Sequence, residues 1–270
     1  MNILTAIILG AVQGLTEFLP VSSSGHLVLL EKIFKVNAPG VFFDTMLHLG
    51  TLTAVITVLW KDIWSILRKI IQPLTLYLII GTIPAVIAAL TFGNIIENAF
   101  DTGKYLGFCF LITSVILVTA EQLAKRKSDT LKNAQTINWL DALVTGIMQA
   151  IALAPGISRS GATISGALFR KIDRDFAARF SFLLSIPAIL GAVVFQTKDL
   201  IKGTETQAAE SIGIAAVIAG TLTAAIVGFF AVKFMLKIIK EKNLYGFAIY
   251  TGVLGLLIIV DQFVTGFVFL

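Results

Sequence analysis

The stretch GAVQGLTEFLPVSSSGHL at residues 10–27 recurs, without a gap, as GIMQAIALAPGISRSGAT at residues 146–163. Gly10, Gln13, Ser22, Ser24 and Gly25 fall on Gly146, Gln149, Ser158, Ser160 and Gly161. Three apolar windows follow each copy: roughly 41–60, 74–96 and 105–124 after the first, then 176–196, 212–236 and 244–264 after the second. Each window meets the need of a bilayer-spanning helix for about 20 mostly apolar residues. The chain therefore reads as two repeats, about 1–132 and 133–270, within a single membrane domain, 1–270. No Pro/Gly/Ser-rich linker divides them, and the charged stretch Lys125 to Lys132 is loop-sized.

Composition points the same way. Of 270 residues, 57% are hydrophobic and 14% charged, whereas soluble domains carry about a quarter charged residues. A soluble all-helical enzyme would need far more polar surface, so membrane lipids are the expected surroundings. The net charge of +5 does not imply nucleic acid, because the basic residues lie between the windows, where positive-inside topology accounts for them. No Lys or Arg precedes Lys32 and no small-residue cleavage site interrupts the apolar start, so that start is expected to be structure rather than a signal peptide. Cys109, inside an apolar window, is expected to pack and leaves the redox compartment open.

In each copy a proline (Pro20, Pro155) and a run of Ser and Gly interrupt an apolar stretch and free backbone groups at membrane depth. Such broken backbone survives only against protein or a water-filled cavity. Residues 1–36 and 137–171 are accordingly expected to form re-entrant helix pairs. Charge parity supports this for the second copy. If both pairs re-enter, one face carries Lys61, Arg68, Lys69, Lys125, Arg126, Lys127, Lys132, Arg170, Lys171, Arg174, Arg179, Lys233, Lys237, Lys240 and Lys242, and the other only Lys32, Lys35, Lys104, Lys198 and Lys202. A crossing second pair would erase that bias. For the first copy, re-entry rests on the repeat. With three spans per half the two copies enter from opposite faces, an all-α polytopic fold of two inverted-topology repeats, each a re-entrant pair plus three transmembrane helices.

Three ionisable residues lie in these motifs at membrane depth, where charge is costly: Glu17, His26 and Arg159. Opposed re-entrant tips would bring them together. Arg159 sits in the small-residue run Gly156, Ile157, Ser158, Arg159, Ser160, Gly161, followed by Thr163. A guanidinium fork, hydroxyl donors and a half-helix N-terminus make an anion cradle; the bland alternative is a buried salt bridge to Glu17. Ser22, Ser23, Ser24, Gly25 and His26 offer a hydroxyl nucleophile and an imidazole suited to proton transfer. In the repeat register Ser23 is the counterpart of Arg159, so nucleophile and phosphate clamp are expected to face each other.

Glu17 is expected either to ligate a hard divalent cation, Mg2+ or Ca2+, or to act as a base. Gln13 and Gln149 either hold a metal-bound water or hydrogen-bond across the helix breaks. Asp44 and His48, one turn apart, share a face and either line the pocket mouth or make a structural hydrogen bond. Glu121 and Asp261, each followed by Gln, end related spans and carry no expected site role.

GLTEFLPVSSSGH (14–26) and PGISRSGATISGAL (155–168) resemble the motifs of the bacterial undecaprenyl pyrophosphate phosphatase family of the bacitracin-resistance type, and FFDTMLHLGT (42–51) and RFSFLLSIPA (179–188) resemble its intervening helices. The resemblance covers essentially the whole chain. It implies hydrolysis of undecaprenyl pyrophosphate to undecaprenyl phosphate and inorganic phosphate, with divalent cation dependence, in the bacterial cytoplasmic membrane and with the site open to the outer, periplasmic side. By position, the family's acidic motif falls on Gln13 and Glu17, its serine and histidine on Ser23 and His26, and its phosphate-binding arginine on Arg159. Some members carry glutamate where this chain has Gln13, which leaves Glu17 the only acid of that motif here.

The chief rival is a polyprenyl-phosphate flippase using the same Arg159 cradle, since inverted repeats with broken helices are a transporter architecture. Ser24, Gly25 and His26 superficially match a different membrane phosphatase superfamily, but His48 lacks the context of its second histidine. A polyprenyl pyrophosphate lipid is the expected partner, and oligomeric state is left open, a homodimer included.

Overall fold

The computed structural model describes residues 1–34, 40–125, 131–201 and 212–269. Among them the chain is all-helical apart from one backbone bridge between Lys132 and Ile172. The helices are α1 (Ile3–Phe18), α2 (Ser23–Ile33), α3 (Gly40–Val58), α4 (Trp60–Arg68), α5 (Pro73–Thr102), α6 (Leu106–Ala124), α7 (Trp139–Ile151), α8 (Arg159–Phe169), α9 (Arg174–Ile201), α10 (Ile214–Glu241) and α11 (Tyr245–Val260), with a π-helical turn at Asp261–Thr265. Segments of α5, α6, α9, α10 and α11 with its π turn are long and apolar enough to cross a bilayer, and α3 with α4, bent by 77°, makes a sixth if the two form one span. The chain is a multi-pass membrane protein. Of the basic residues weighed above, Lys35, Arg126, Lys127 and Lys202 lie outside the described residues, as does the side chain of Lys198.

The motif helices are too short to cross alone. α1 has 16 residues, α7 has 13, and α2 and α8 have 11 each, so at 1.5 Å per residue none exceeds about 24 Å, against a hydrocarbon core of about 30 Å. α1 stops where Leu19, immediately before Pro20, is extended, the conformation a following proline favours. The turn after α7 contains Gly156 at φ +92°, where a Cβ would press on Cys109 and the Leu106 carbonyl. α7 and α8 then fold back on each other: Gly166 packs on Met148 and Thr145, and Asp141 in the first turn of α7 accepts a 2.8 Å hydrogen bond from Arg170 at the end of α8. The second motif thus returns to the end it left.

Asp141 is fully buried and also takes Lys132 at 2.7 and 2.9 Å and the Asn138 amide at 3.0 Å. Burial by itself would raise its carboxyl, but these donors together hold it below the ordinary aspartate range. That stabilisation is present at neutral pH and is lost as pH falls through the depressed value.

Helix packing is reciprocal between the halves. α1 packs on α10, α7 packs on α5, and α6 packs on α11. Glycines permit the close approaches: a Cβ on Gly10 would run into the Gly220 carbonyl, one on Gly146 into the Gly81 carbonyl, and one on Gly107 or Gly255 would lie only 2.8 or 2.7 Å from the other's carbonyl oxygen. The middle spanning helix of each half therefore supports the other half's motif. Small-residue seams of this kind suit lipid surroundings, where helix association depends on close van der Waals packing.

Charges gather at one end. There Lys132 and Arg170 meet Asp141, Arg174 meets Glu121, Arg179 meets Asp62 and Asp175, and Lys240 meets Asp175. α4, a helix not anticipated from the apolar window that ends at residue 60, exposes Trp60, Trp64 and Leu67 beside Lys61, Arg68 and Lys69, a composition suited to lying along the lipid interface. Elsewhere Lys32 sits over the Phe269 ring, and Gln262 donates to the Gly103 carbonyl at 2.7 Å.

The glycine seams generate a stability test. Gly10→Val and Gly146→Val should each cost about 1–3 kcal/mol, seen as a clearly lower melting temperature in detergent. Gly93→Ala, where nothing lies within 4 Å of a new Cβ, should melt at or slightly above the unsubstituted protein. Equal melting of all three would contradict the seam.

Candidate active site

The carboxylate of Glu17, on the last turn of α1, is the point where the two motifs meet. Its Oε1 accepts from Arg159 Nη2 at 2.5 Å. Its Oε2 accepts from Ser23 Oγ at 2.6 Å and from Gln13 Nε2 at 3.0 Å, and His48 Nε2 from α3 lies 3.8 Å away. Glu17 is 7% exposed, so this buried charge is balanced by a guanidinium and a set of donors, as burial demands. Ser23 and Arg159, the register counterparts, thus sit on the two oxygens of one acid.

Local folding places each of them. α1 ends one residue past Glu17 at the extended Leu19, which turns the chain through Pro20 into α2. Ser22 caps α2 from an unusual backbone, φ +70°, its Oγ accepting the Gly25 amide at 3.3 Å and lying 3.3 Å from Ser24 Oγ. Ser158 repeats this at α8, accepting the Gly161 amide at 3.0 Å with Ser160 Oγ 3.2 Å away. Ser160 then donates to the Leu19 carbonyl at 2.8 Å, tying one hairpin tip to the other. Thr163 bonds the Arg159 carbonyl and Ser181. In this arrangement the hydroxyls of Ser22, Ser24, Ser158, Ser160 and Thr163 are engaged in caps and cross-links, and the first-turn amides of Gly25 and Gly161 are capped internally.

Arg159 Nη1, Gln13 Oε1 and Gln149 Oε1, all on the motif helices, are among the buried polar atoms with no hydrogen-bond partner in the described residues. Gln149 donates weakly, at 3.4 Å, to the Gly81 carbonyl. An unpaired buried donor on a cation costs more than the 1–3 kcal/mol typical of neutral groups, and a phosphate oxygen is the chemistry that would satisfy it.

His26 departs from the expected convergence. Its Nδ1 lies 2.6 Å from the Ser22 carbonyl and its Nε2 2.7 Å from the Tyr250 hydroxyl, so both ring nitrogens are engaged away from Glu17. His48, for which a structural hydrogen bond was one of two readings, does make one, from Nδ1 to the Asp44 carbonyl at 2.8 Å. The same bond aims its other nitrogen at Glu17. Spacing one turn from Asp44 was the only signal for it. Tyr250 and Thr113, whose hydroxyl accepts the Ser158 amide and donates to the Gly156 carbonyl, each at 3.0 Å, gave none, because both lie inside uniformly apolar windows.

With this geometry in view, comparison with known proteins is direct. The model of the family described as bacitracin resistance protein BacA matches residues 6–257. The undecaprenyl-diphosphatase of Carboxydothermus hydrogenoformans is 45% identical over 262 residues, covering 97% of this chain and 98% of that protein. Undecaprenyl-diphosphatase 3 of Bacillus cereus is 46% identical over 263 residues with the same coverage. The undecaprenyl-diphosphatase of Halothermothrix orenii is 39% identical over 262 residues, 96% of this chain and 98% of that protein.

The Glu17–Arg159 pair generates its own test. Arg159→Met alone strands a buried carboxylate and should cost about 3–5 kcal/mol of stability, whereas Glu17→Gln with Arg159→Met should recover most of it. Melting curves of the single and double variants decide this, and a double variant no more stable than the single one would contradict the pairing.

Proposed function

The chain belongs to the bacitracin resistance protein BacA family, and from that premise we propose that it is an undecaprenyl-diphosphatase, a hydrolase that removes a phosphate from undecaprenyl pyrophosphate. The observation that carries the site assignment is the buried, unpartnered Nη1 of Arg159 next to a serine hydroxyl already hydrogen-bonded to a carboxylate. A cationic donor without a partner fits an anionic headgroup, and a serine on a carboxylate is a nucleophile with its base in place.

The mechanism follows from these contacts. Arg159 turns Nη1 to the terminal phosphate, and Ser23 Oγ forms a bond to its phosphorus as the anhydride P–O bond breaks. The proton passes to Glu17 Oε2, and undecaprenyl phosphate leaves with the bonding electrons. Water then attacks the phosphoserine, inorganic phosphate departs and the serine takes back a proton. His26, one turn along α2 from Ser23, is the second group for proton transfer, and Arg159 balances the charge that builds on the phosphate oxygens.

The donor set also fits a divalent cation, Mg2+ or Ca2+. Glu17 and the orphaned Gln13 Oε1 would supply two oxygens, and substrate phosphates would supply others to a cation held this way. Bound there, it would neutralise phosphate charge. We further propose that the base-rich end faces the cytoplasm and that the first hairpin enters from the periplasmic side of the inner membrane, the two repeats being inverted.

Purified protein in detergent should release phosphate from undecaprenyl pyrophosphate, a result a flippase alone would not give because transport needs two compartments. Chelator should suppress the release, with Mg2+ or Ca2+ restoring it. Arg159→Ala should lower kcat/KM by about 10³-fold. Wild-type kinetics in that variant would refute the site.

A further inference from the structure

Tyr250 lies on α11 at 47% relative exposure, inside a segment that is apolar enough to span the membrane. A phenol hydroxyl facing lipid needs a partner from the protein, and this one finds His26 Nε2 at 2.7 Å. The two rings stack, 5° between planes and 5.7 Å between centroids, while Phe110 of α6 meets the same imidazole edge-on at 5.4 Å. The Ser22 carbonyl stands 2.6 Å from Nδ1.

A carbonyl can only accept, so Nδ1 carries the ring proton, and a neutral imidazole then presents its lone pair on Nε2, to which the phenol donates. Two hydrogen bonds and two aromatic faces fix ring plane, tautomer and direction at once. Groups from three separate elements, the Ser22 cap, α6 and α11, set this one side chain.

Resting on the phosphatase reading with His26 in proton transfer, we propose that Tyr250 is the positioning residue of His26: its ring and its hydroxyl, bonded to Nε2, hold the plane and direction of an imidazole whose Nδ1–H the Ser22 carbonyl fixes, so that a proton reaches Nε2 by way of the phenol. The phenol need not touch the phosphate; it acts through His26, whose tautomer the Ser22 carbonyl sets from the other nitrogen. α11 of the second half thereby completes a group belonging to the first motif.

Tyr250→Phe keeps the ring and removes only the hydroxyl. Phosphate release from undecaprenyl pyrophosphate in detergent should show kcat lowered about tenfold, part of the 10²–10⁴ that acid–base groups contribute, with KM essentially unchanged. In a His26→Ala background the same substitution should cause no further loss, because both act through one imidazole. The chain has two histidines, so ¹⁵N-histidine NMR on His48→Gln protein reads His26 alone. It should report the Nδ1–H tautomer, held by the Ser22 carbonyl, and a shifted Nε2 resonance once Tyr250→Phe removes the hydrogen bond to that nitrogen, a readout that does not depend on activity. Wild-type kcat in Tyr250→Phe alongside an impaired His26→Ala overturns the positioning role and leaves the phosphatase reading intact. Losses that add across the two variants, or an unaltered Nε2 resonance, overturn it as well. Full activity in His26→Ala would instead remove His26 from the reaction and this inference with it.

Discussion

A helix that stops inside an apolar helical bundle leaves backbone donors and acceptors that neither lipid nor apolar side chains can satisfy, and the architecture of this protein answers that constraint. Ser22 and Ser158 cap the two broken helices, Thr113 holds the second turn through the Gly156 carbonyl and the Ser158 amide, and Ser160 reaches the Leu19 carbonyl across the junction. Apart from Thr113 of α6, these repairing residues belong to the repeated motif itself. Motif identity therefore reflects structural need as much as chemistry: most of its serines are consumed in holding the tips together.

What remains unspent is informative. After the repairs, one carboxylate gathers Arg159, Ser23 and Gln13 with His48 nearby, and the orphaned polar atoms of Arg159 and Gln13 belong to that same cluster. Two such atoms beside one acid leave hydrogen-bonding capacity open to a ligand at that point. In the proposed reading the guanidinium nitrogen takes the phosphate and the amide oxygen a cation shared with it.

Rigid ends make such a site sustainable. Asp141 closes the second hairpin at its base, Glu121 joins α6 to Arg174 and to the Leu244 amide at the start of α11, and Asp261 gathers the amides of Phe267, Val268 and Phe269 beyond the π turn. With the glycine seams locking α1 on α10 and α7 on α5, the tips are held from both halves. The cost of the Glu17–Arg159 pair and the unpaired atoms beside it falls on a scaffold tied at its ends and along its glycine seams.

Much of this was legible in the residues alone. Hydropathy marked the crossing segments because bilayer thickness sets helix length, Pro20 and Pro155 marked the breaks because proline cannot continue a helix, and the duplicated motif set Ser23 against Arg159 because a repeat carries its register with it. Lipid is a simple solvent, and such constraints are local or periodic, so a linear chain displays them. Only the tertiary structure decided which side chains share an atom. That His26 turns to Tyr250, 224 positions away, while His48 approaches Glu17 depends on how α11 and α3 pack beside the first hairpin, and an apolar window around a tyrosine contains no trace of the partner its hydroxyl will find.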